Sequence, residues 1–385
     1  MDFDLTVDQK KLRATVAEFT EKEVVPIAEK LDQEARFPSE LFLKVGELGI
    51  PAIPFSQELG GMGLGVLDMV IALEQLARGD QSLAVTTMVS VASGLTLARF
   101  GSSDLVNKFL PDIVAGRKIC GIAGTEPDAG SDTAGFKTRA VPNGNRWRLN
   151  GEKAFTTNGG TDITSFLMIL AVSSPADQKK SFTLFLVPSG TSGCTAGNSY
   201  RKMGWRSSDT RPFYLRDCDV GPDQIVGQLH GGRFVLHRGY QQARVFLAAC
   251  SLGLAQACLD HSLAYAKQRH AFGGPIGRLQ LVQEMIAKMA VQIDAARLLT
   301  YRAAWNVDQG KLDLKELAMS KLYACEIGTK CADLAIQVHG GWGFMDDCPV
   351  SRYYRDNRIC TLGDGSSQIQ TLLIARESGL EVAFA

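Results

Sequence analysis

Residues 124–132 read Gly-Thr-Glu-Pro-Asp-Ala-Gly-Ser-Asp, a run of small and hydroxyl-bearing side chains. Small residues let a backbone come close to a flat ring or a phosphate. Hydroxyls such as those of Thr125 and Ser131, with free N–H groups, then supply directed hydrogen bonds. Near the other end stands Asp364, in the context Gly-Asp-Gly-Ser. On the residues alone that context suits a solvated helix N-cap as well as a reactive carboxylate. A second glycine-rich run, Gly60-Gly-Met-Gly-Leu-Gly65, resembles a phosphate loop. It does not follow a strand inside a βαβ unit, so the dinucleotide reading fails and a mobile turn between helices is expected. The nine cysteines include no C-x-x-C pair. An odd, irregular set in a chain of this size reads as small buried thiols in a reducing compartment.

These residues must be held by elements, and the hydrophobic pattern changes character twice. Thr6 and Gln9 read as a capping box ahead of Leu12, Val16, Phe19 and Val24 at helical spacing, with Pro26 as the interruption. Segments 37–49, ended by Gly49, and 66–78 read as further helices. Segment 81–99 is apolar or small almost throughout, the pattern of a buried helix. From 119 short alternating runs take over: 147–150, 166–172 and 182–187. Turn signals at Asn143-Gly144, Asn150-Gly151 and Pro188-Ser-Gly190 separate them. From about 231 long helical periods return, over 233–268, 278–309, 313–340 and 364–380, as in a four-helix bundle. The expected architecture is α+β: a helical domain over 1–118, a β-domain over 119–230 and a helical bundle over 231–385.

With 385 residues the chain is long enough for two or three cored domains. Lysine plus arginine and aspartate plus glutamate are balanced at 41 each, so no net charge draws it to nucleic acid or an anionic membrane. No basic segment leads into an apolar one at the start, and no apolar run approaches the ~20 residues of a membrane span. A soluble, cytoplasmic protein is expected.

Six further motifs follow residues 124–132. They are Gly151-Glu-Lys-Ala-Phe-Thr-Thr-Asn-Gly-Gly160, Gly204-Trp-Arg-Ser-Ser-Asp-Thr-Arg211, Arg269-His-Ala-Phe-Gly273, Gln337-Val-His-Gly-Gly341, Tyr354-Arg-Asp356 and Asp364-Gly-Ser-Ser-Gln-Ile-Gln370. In this order and at these separations the set resembles the acyl-CoA dehydrogenase family from end to end. The resemblance implies FAD, with Thr125 and Thr157 bonded to the isoalloxazine ring and Phe155 where many members have tryptophan. Ser131 matches a residue serving both flavin and CoA. Arg269 and Phe272 match residues that hold the pyrophosphate and adenosine of a neighbouring subunit's FAD. Gln280, Gln337, Gly340 and Gly341 complete the dinucleotide end, and Ser366 and Gln368 are flavin contacts. Arg244 and Arg376 match CoA-side arginines, a role that suits the planar guanidinium fork. A homotetramer built as a dimer of dimers, with electrons passed to an electron-transferring flavoprotein, is also implied.

The family's reaction removes a proton α to a thioester and a hydride from the β carbon. The resemblance places the proton-abstracting carboxylate at one of two positions: Asp364 occupies one, Ala243 the other, and alanine cannot act as a base. Aspartate departs from the usual glutamate and reaches about 1.5 Å less. Gly363 replaces a frequent tyrosine, and Gly365 follows the base. Both departures remove bulk beside the α carbon, which suits an α-branched or ring substrate. The pattern resembles bacterial cyclohexanecarboxyl-CoA dehydrogenases. The competing readings are a short- or medium-chain acyl-CoA dehydrogenase, a nitroalkane-oxidase-like flavoenzyme with an aspartate base, and an inactive flavin-binding protein.

Overall fold

The computed structural model describes residues 4–175 and 178–382. It opens with α1 (Val7–Phe19), whose capping box is present: Gln9 N–H donates to Thr6 Oγ1 at 3.2 Å and Thr6 N–H to Gln9 Oε1 at 3.1 Å. Pro26 does not end this helix. A π-helical turn over Thr20–Val24 absorbs the missing donor, and the chain continues as α2 (Val25–Glu34). Next come α3 (Ser39–Glu47), α4 (Val66–Gly79), α5 (Gln81–Phe100) and α6 (Ser103–Val114). The Gly60–Gly65 run is a turn leading into α4. The helix's first N–H groups, on Val66 and Leu67, donate to the Asp308 carboxylate at 2.6 and 3.0 Å. The anion that a helix N-terminus favours is therefore supplied from within the chain.

The β-region comprises β1 (Ile119–Ala123), β2 (Arg139–Asn143), β3 (Arg146–Thr157), β4 (Thr164–Val172), β5 (Phe182–Pro188), β6 (Cys194–Ala196), β7 (Thr210–Val220) and β8 (Ile225–Val226). They form one eight-stranded sheet in the order β6-β7-β3-β2-β4-β5-β8, with β1 paired parallel to β4. The Asn150-Gly151 dipeptide is not a turn. It lies inside β3, at a register shift against β7 between Leu149 and Gly151. The extra residue is on β7, where Arg216 and Asp217 (φ +49°) stand opposite Asn150, while Gly151, at φ +148°, lies where an added Cβ would be 2.7 Å from the Thr138 Cα.

The chain then enters α7 (Gly232–Gln268), a small hairpin of β9 (His270–Ala271) and β10 (Gly274–Pro275), α8 (Gln280–Asp308) and α9 (Leu314–His339). Two further helices close it, α10 (Pro349–Asn357) and α11 (Ser367–Glu377). Helix α10 was not anticipated, and α11 starts later than the sequence pattern suggested. Both α5 and α7 are long and apolar enough to cross a membrane, contrary to the sequence expectation. Here they are core helices, mostly covered by the rest of the fold. Helix α7 passes so close to α4 that a Cβ on Gly253 would lie 2.1 Å from the Glu74 carbonyl oxygen.

One polar junction joins all three regions. Arg355 pairs with Asp32 of α2 at 2.6 Å. Asp356 accepts the Trp205 N–H at 2.7 Å, and the Trp205 indole donates to Gln81 of α5 at 2.8 Å. Asp80, the N-cap of α5, accepts from Ser207 at 3.2 Å. Gly204 fits because nothing larger would: its Cβ would be 2.2 Å from the Arg355 carbonyl oxygen. Burial pushes the Asp356 carboxyl up to about 7.

Candidate active site

Strands β1 and β3 lie side by side and carry Thr125 and Thr157, one opposite Ala154 and the other opposite Gly121. Thr125, just past β1, accepts the Ala154 N–H through its carbonyl at 2.9 Å. A Cβ on Gly121 would lie 2.4 Å from the Thr157 carbonyl oxygen, so the strands touch where glycine permits it. After Thr157 the chain turns at Asn158, φ +64°, whose buried amide donates to Thr86 and Cys120 carbonyls at 2.9 and 3.3 Å. Asp209, from the Gly204–Arg211 motif, accepts the Gly160 N–H at 2.7 Å.

The loop carrying Thr125 and Ser131 hangs on a buried ion pair. Lys153 is 0% exposed and lies 2.8 Å from Glu126. Glu126 also accepts the N–H groups of Lys137 and Thr138 at 2.6 and 3.0 Å, and Lys153 donates to the Gly124 carbonyl at 3.1 Å. Burial pushes the Glu126 carboxyl up, but Lys153 and the N–H donors outweigh it and leave the group below the usual carboxylate range. Ser131 itself is exposed on this loop.

Helix α7 faces the same loop. A Cβ on Gly124 would lie 3.3 Å from the Tyr240 hydroxyl, and Tyr240 in turn feels the charge of Asp364. Arg244 is 7% exposed, and its Nε has no partner among the described residues. A buried guanidinium without a carboxylate pair is costly unless something else meets it. Asp364 interacts with it electrostatically, as does Arg376 of α11. Ala243 is buried and apolar.

Asp364 follows α10 in a tight turn. It adopts φ +51° and Gly365 +87°, the left-handed region that resists a side chain. Asp364 is not the cap of α11: Ser366 is, accepting the Ile369 N–H at 3.4 Å. Burial pushes the Asp364 carboxyl up, while Lys321 and Arg244 pull it back. The net effect leaves the carboxyl above the usual carboxylate range, the direction that makes it a better proton acceptor. Among the described residues nothing accepts the Asp364 N–H. A Cβ built on Gly363 would meet only the Ile359 carbonyl oxygen, at 3.6 Å, so there is room for a first side-chain carbon at the residue before Asp364.

A second group of residues assembles elsewhere. Arg269, Gly340 and Gly341 line one cavity of about 530 Å³ with Tyr265, His339 and Trp342. Gly340 and Gly341 have nothing within 4 Å of a built Cβ. Phe272 is 86% exposed at the tip of the β9–β10 hairpin, and Gln280 and Gln337 are exposed on α8 and α9. No hydrogen bond, ion pair or ring contact among the described residues joins this group to Asp364. Phe155 is exposed, at φ +55°, with its ring 5.2 Å from Tyr200. Gln368 is exposed on the first turn of α11.

Sequence reasoning did not single out Glu126, Lys153, Tyr240, Lys321 or Gln370, all of which shape the site. Lys321 left a signal: a lysine in line with Leu317, Ala324, Cys325 and Gly328 on the apolar face of α9.

Known proteins share this arrangement. Residues 6–117, 121–218 and 230–379 match the N-terminal, middle and C-terminal domains of acyl-CoA dehydrogenases. The short-chain specific acyl-CoA dehydrogenase of Rattus norvegicus mitochondria is 40% identical over 97% of this chain and 90% of its own. A probable acyl-CoA dehydrogenase of Bacillus subtilis is 38% identical over 98% and 99%. The butyryl-CoA dehydrogenase structure from Megasphaera elsdenii superposes with a TM-score of 0.94 at 31% identity, covering 98% of this chain and 99% of that one. With its helical, β and helical regions all matched, the chain belongs to the acyl-CoA dehydrogenase family.

Proposed function

We propose that this chain is an FAD-dependent acyl-CoA dehydrogenase whose base, Asp364, takes the α proton of an α-branched or alicyclic thioester. Cyclohexanecarboxyl-CoA is the first compound to test. The residues present suit a flavin dinucleotide. There is an open two-glycine cradle at Gly340 and Gly341, a cationic rim at Arg269, and hydroxyls at the ends of β1 and β3 in Thr125 and Thr157. Phe155, Ser366 and Gln368 would hold the ring, and Phe272, Gln280 and Gln337 would serve the dinucleotide end of a neighbouring subunit's FAD. FAD, when bound, accepts the hydride from the β carbon.

The chain's own groups do the rest. The free Asp364 N–H is placed to bond the thioester oxygen as negative charge develops there. Arg244 presents positive charge beside the base and Arg376 lies within the field of Arg244, both for the CoA side together with Ser131, and Gly363 and Gly365 border the α carbon. Electrons pass to an electron-transferring flavoprotein, and the cytoplasmic enzyme works as a homotetramer, a dimer of dimers. Among the solved structures similar to this chain is one described as an electron transferring flavoprotein of Acidaminococcus fermentans.

The observation that carries the substrate class is the open space at Gly363. A tertiary α carbon has an extra substituent that must lie between base and flavin. A second reading, a straight short chain, is favoured by the relatives named for short-chain and butyryl substrates. Anaerobic mixing of the holoenzyme with cyclohexanecarboxyl-, isobutyryl-, butyryl- and octanoyl-CoA decides between them. The expected ranking of kcat/KM puts a branched or cyclic thioester first. A straight-chain winner by tenfold or more would leave the aspartate unexplained. Asp364→Asn should keep its flavin but bleach about 10²-fold more slowly or worse. Bleaching at the wild-type rate would mean another base.

A further inference from the structure

Lysine is rarely fully buried without a partner, yet Lys321 on α9 is 0% exposed. Its ammonium makes one hydrogen bond among the described residues, to the Gly365 carbonyl at 2.7 Å. A neutral carbonyl satisfies one donor but does not compensate a buried charge. Nor is the lysine needed to hold the turn. The buried Gln370 amide already donates to the Asp364 and Gly365 carbonyls, at 3.2 and 2.9 Å. What an amide cannot provide is positive charge, and the acid on which Lys321 acts is the residue next to its bonded carbonyl.

We propose that Lys321 is a positioning residue for Asp364, clamping the Gly365 carbonyl from behind and setting a sealed positive charge beside the carboxylate. The proposal rests on Asp364 being the base. Arg244 supplies positive charge from α7 and is itself buried, at 7% exposure. Lys321 acts from α9, fully covered by protein, where solvent cannot screen it. The other titratable groups that feel Asp364 are Tyr240 and Cys250 of α7 and Cys325 of α9. Burial and neighbouring charge hold Tyr240 and Cys250 up, protonated and neutral near pH 7. The two cations thus set the ionisation of a carboxyl that burial alone pushes up. Arginine is a fixed cation, whereas Lys321 can be exchanged for methionine of similar length and no charge.

The test uses the FAD-loaded enzyme and three variants, Lys321→Met, Lys321→Gln and Lys321→Arg. Difference infrared titration reads the Asp364 carboxylate directly, with Asp364→Asn as the blank. The pH profile of anaerobic bleaching by acyl-CoA is recorded alongside. Methionine and glutamine should raise the carboxylate midpoint by about one pH unit or more. Bleaching at pH 7 should fall by up to about tenfold and recover at higher pH. Arginine should keep the wild-type midpoint. If methionine is not recovered folded, the glutamine and arginine pair decides. Equal midpoints in glutamine, arginine and wild type would overturn the proposal, as would a rate loss that no pH restores. If instead Asp364→Asn bleaches normally, the base assignment fails while the infrared midpoints still report on Lys321.

Discussion

Replacing Gly363 by tyrosine tests the link between the empty space and the substrate. Gly363 does not adopt a left-handed φ, unlike Asp364 at +51° and Gly365 at +87°. Its built Cβ meets only the Ile359 carbonyl oxygen, at 3.6 Å, an ordinary contact. The first carbon of a side chain therefore fits without backbone strain. Gly363→Ala should leave folding unchanged or stabilise it by about 0.4–1 kcal/mol, through the unfolded chain. The tyrosine ring goes further, into the volume an α substituent needs. Overpacking a confined site costs about 1–3 kcal/mol, or about 5- to 150-fold in rate. Gly363→Tyr should thus depress kcat/KM for cyclohexanecarboxyl-CoA by that factor. Butyryl-CoA, with no α branch, should change much less. The measurement is initial-rate kinetics with both thioesters on wild type, alanine and tyrosine variants, with flavin content checked. An equal loss for the two substrates would refute the steric argument. So would an alanine variant already as impaired as the tyrosine.

Arg269→Ala should lower FAD content and weaken assembly together, because its cavity is separate from the Asp364 group within one chain; size-exclusion chromatography with absorbance at 450 nm checks both. Oxidation should stop at one α,β double bond: residues 81–103, in and just after the buried helix, include no aspartate or glutamate to serve as a distal base. A diene or aromatic thioester as the main product by mass spectrometry would contradict that. Burial holds the Asp356 carboxyl up at about 7, above its unfolded value near 3.8, so the folded state binds the extra proton. Its contribution is complete below about pH 4 and lost as pH rises through 7. Asp356→Asn should flatten the fall in thermal midpoint across that window, measured by scanning calorimetry.

Local signals were legible wherever a side chain and its own segment decide the structure. The Thr6–Gln9 box is one case, and the almost wholly apolar α5 is another. Signals failed where a distant partner decides. Asn150-Gly151 has the composition of a turn, but pairing with β7 on one side and Thr138 on the other holds it inside a strand, opposite a bulge in β7. Pro26 should stop a helix, and a π turn carries the helix past it. The Gly60–Gly65 run is explained by Asp308, more than two hundred residues away, which no local window includes. The motifs for Thr125, Thr157 and Asp364 could be read from the chain. Their support in Glu126 and Lys153 could not, because a buried charge is recognised by its partner across the fold, and Lys321 left only the trace of a lysine on the apolar face of α9.

The polar junction at Trp205, Asp356, Asp32 and Asp80 has a consequence for how this protein can vary. Its members come from α2, the start of α5, the loop before β7 and α10, so each region holds part of a lock whose remainder lies in the others. The β-region cannot be exchanged for a relative's as an independent cassette. The natural unit of exchange includes Gly204–Ser207 together with Asp32, Asp80, Gln81, Arg355 and Asp356. A chimera that divides this set would leave charges buried at the seam and would be selected against before its catalysis was ever tested.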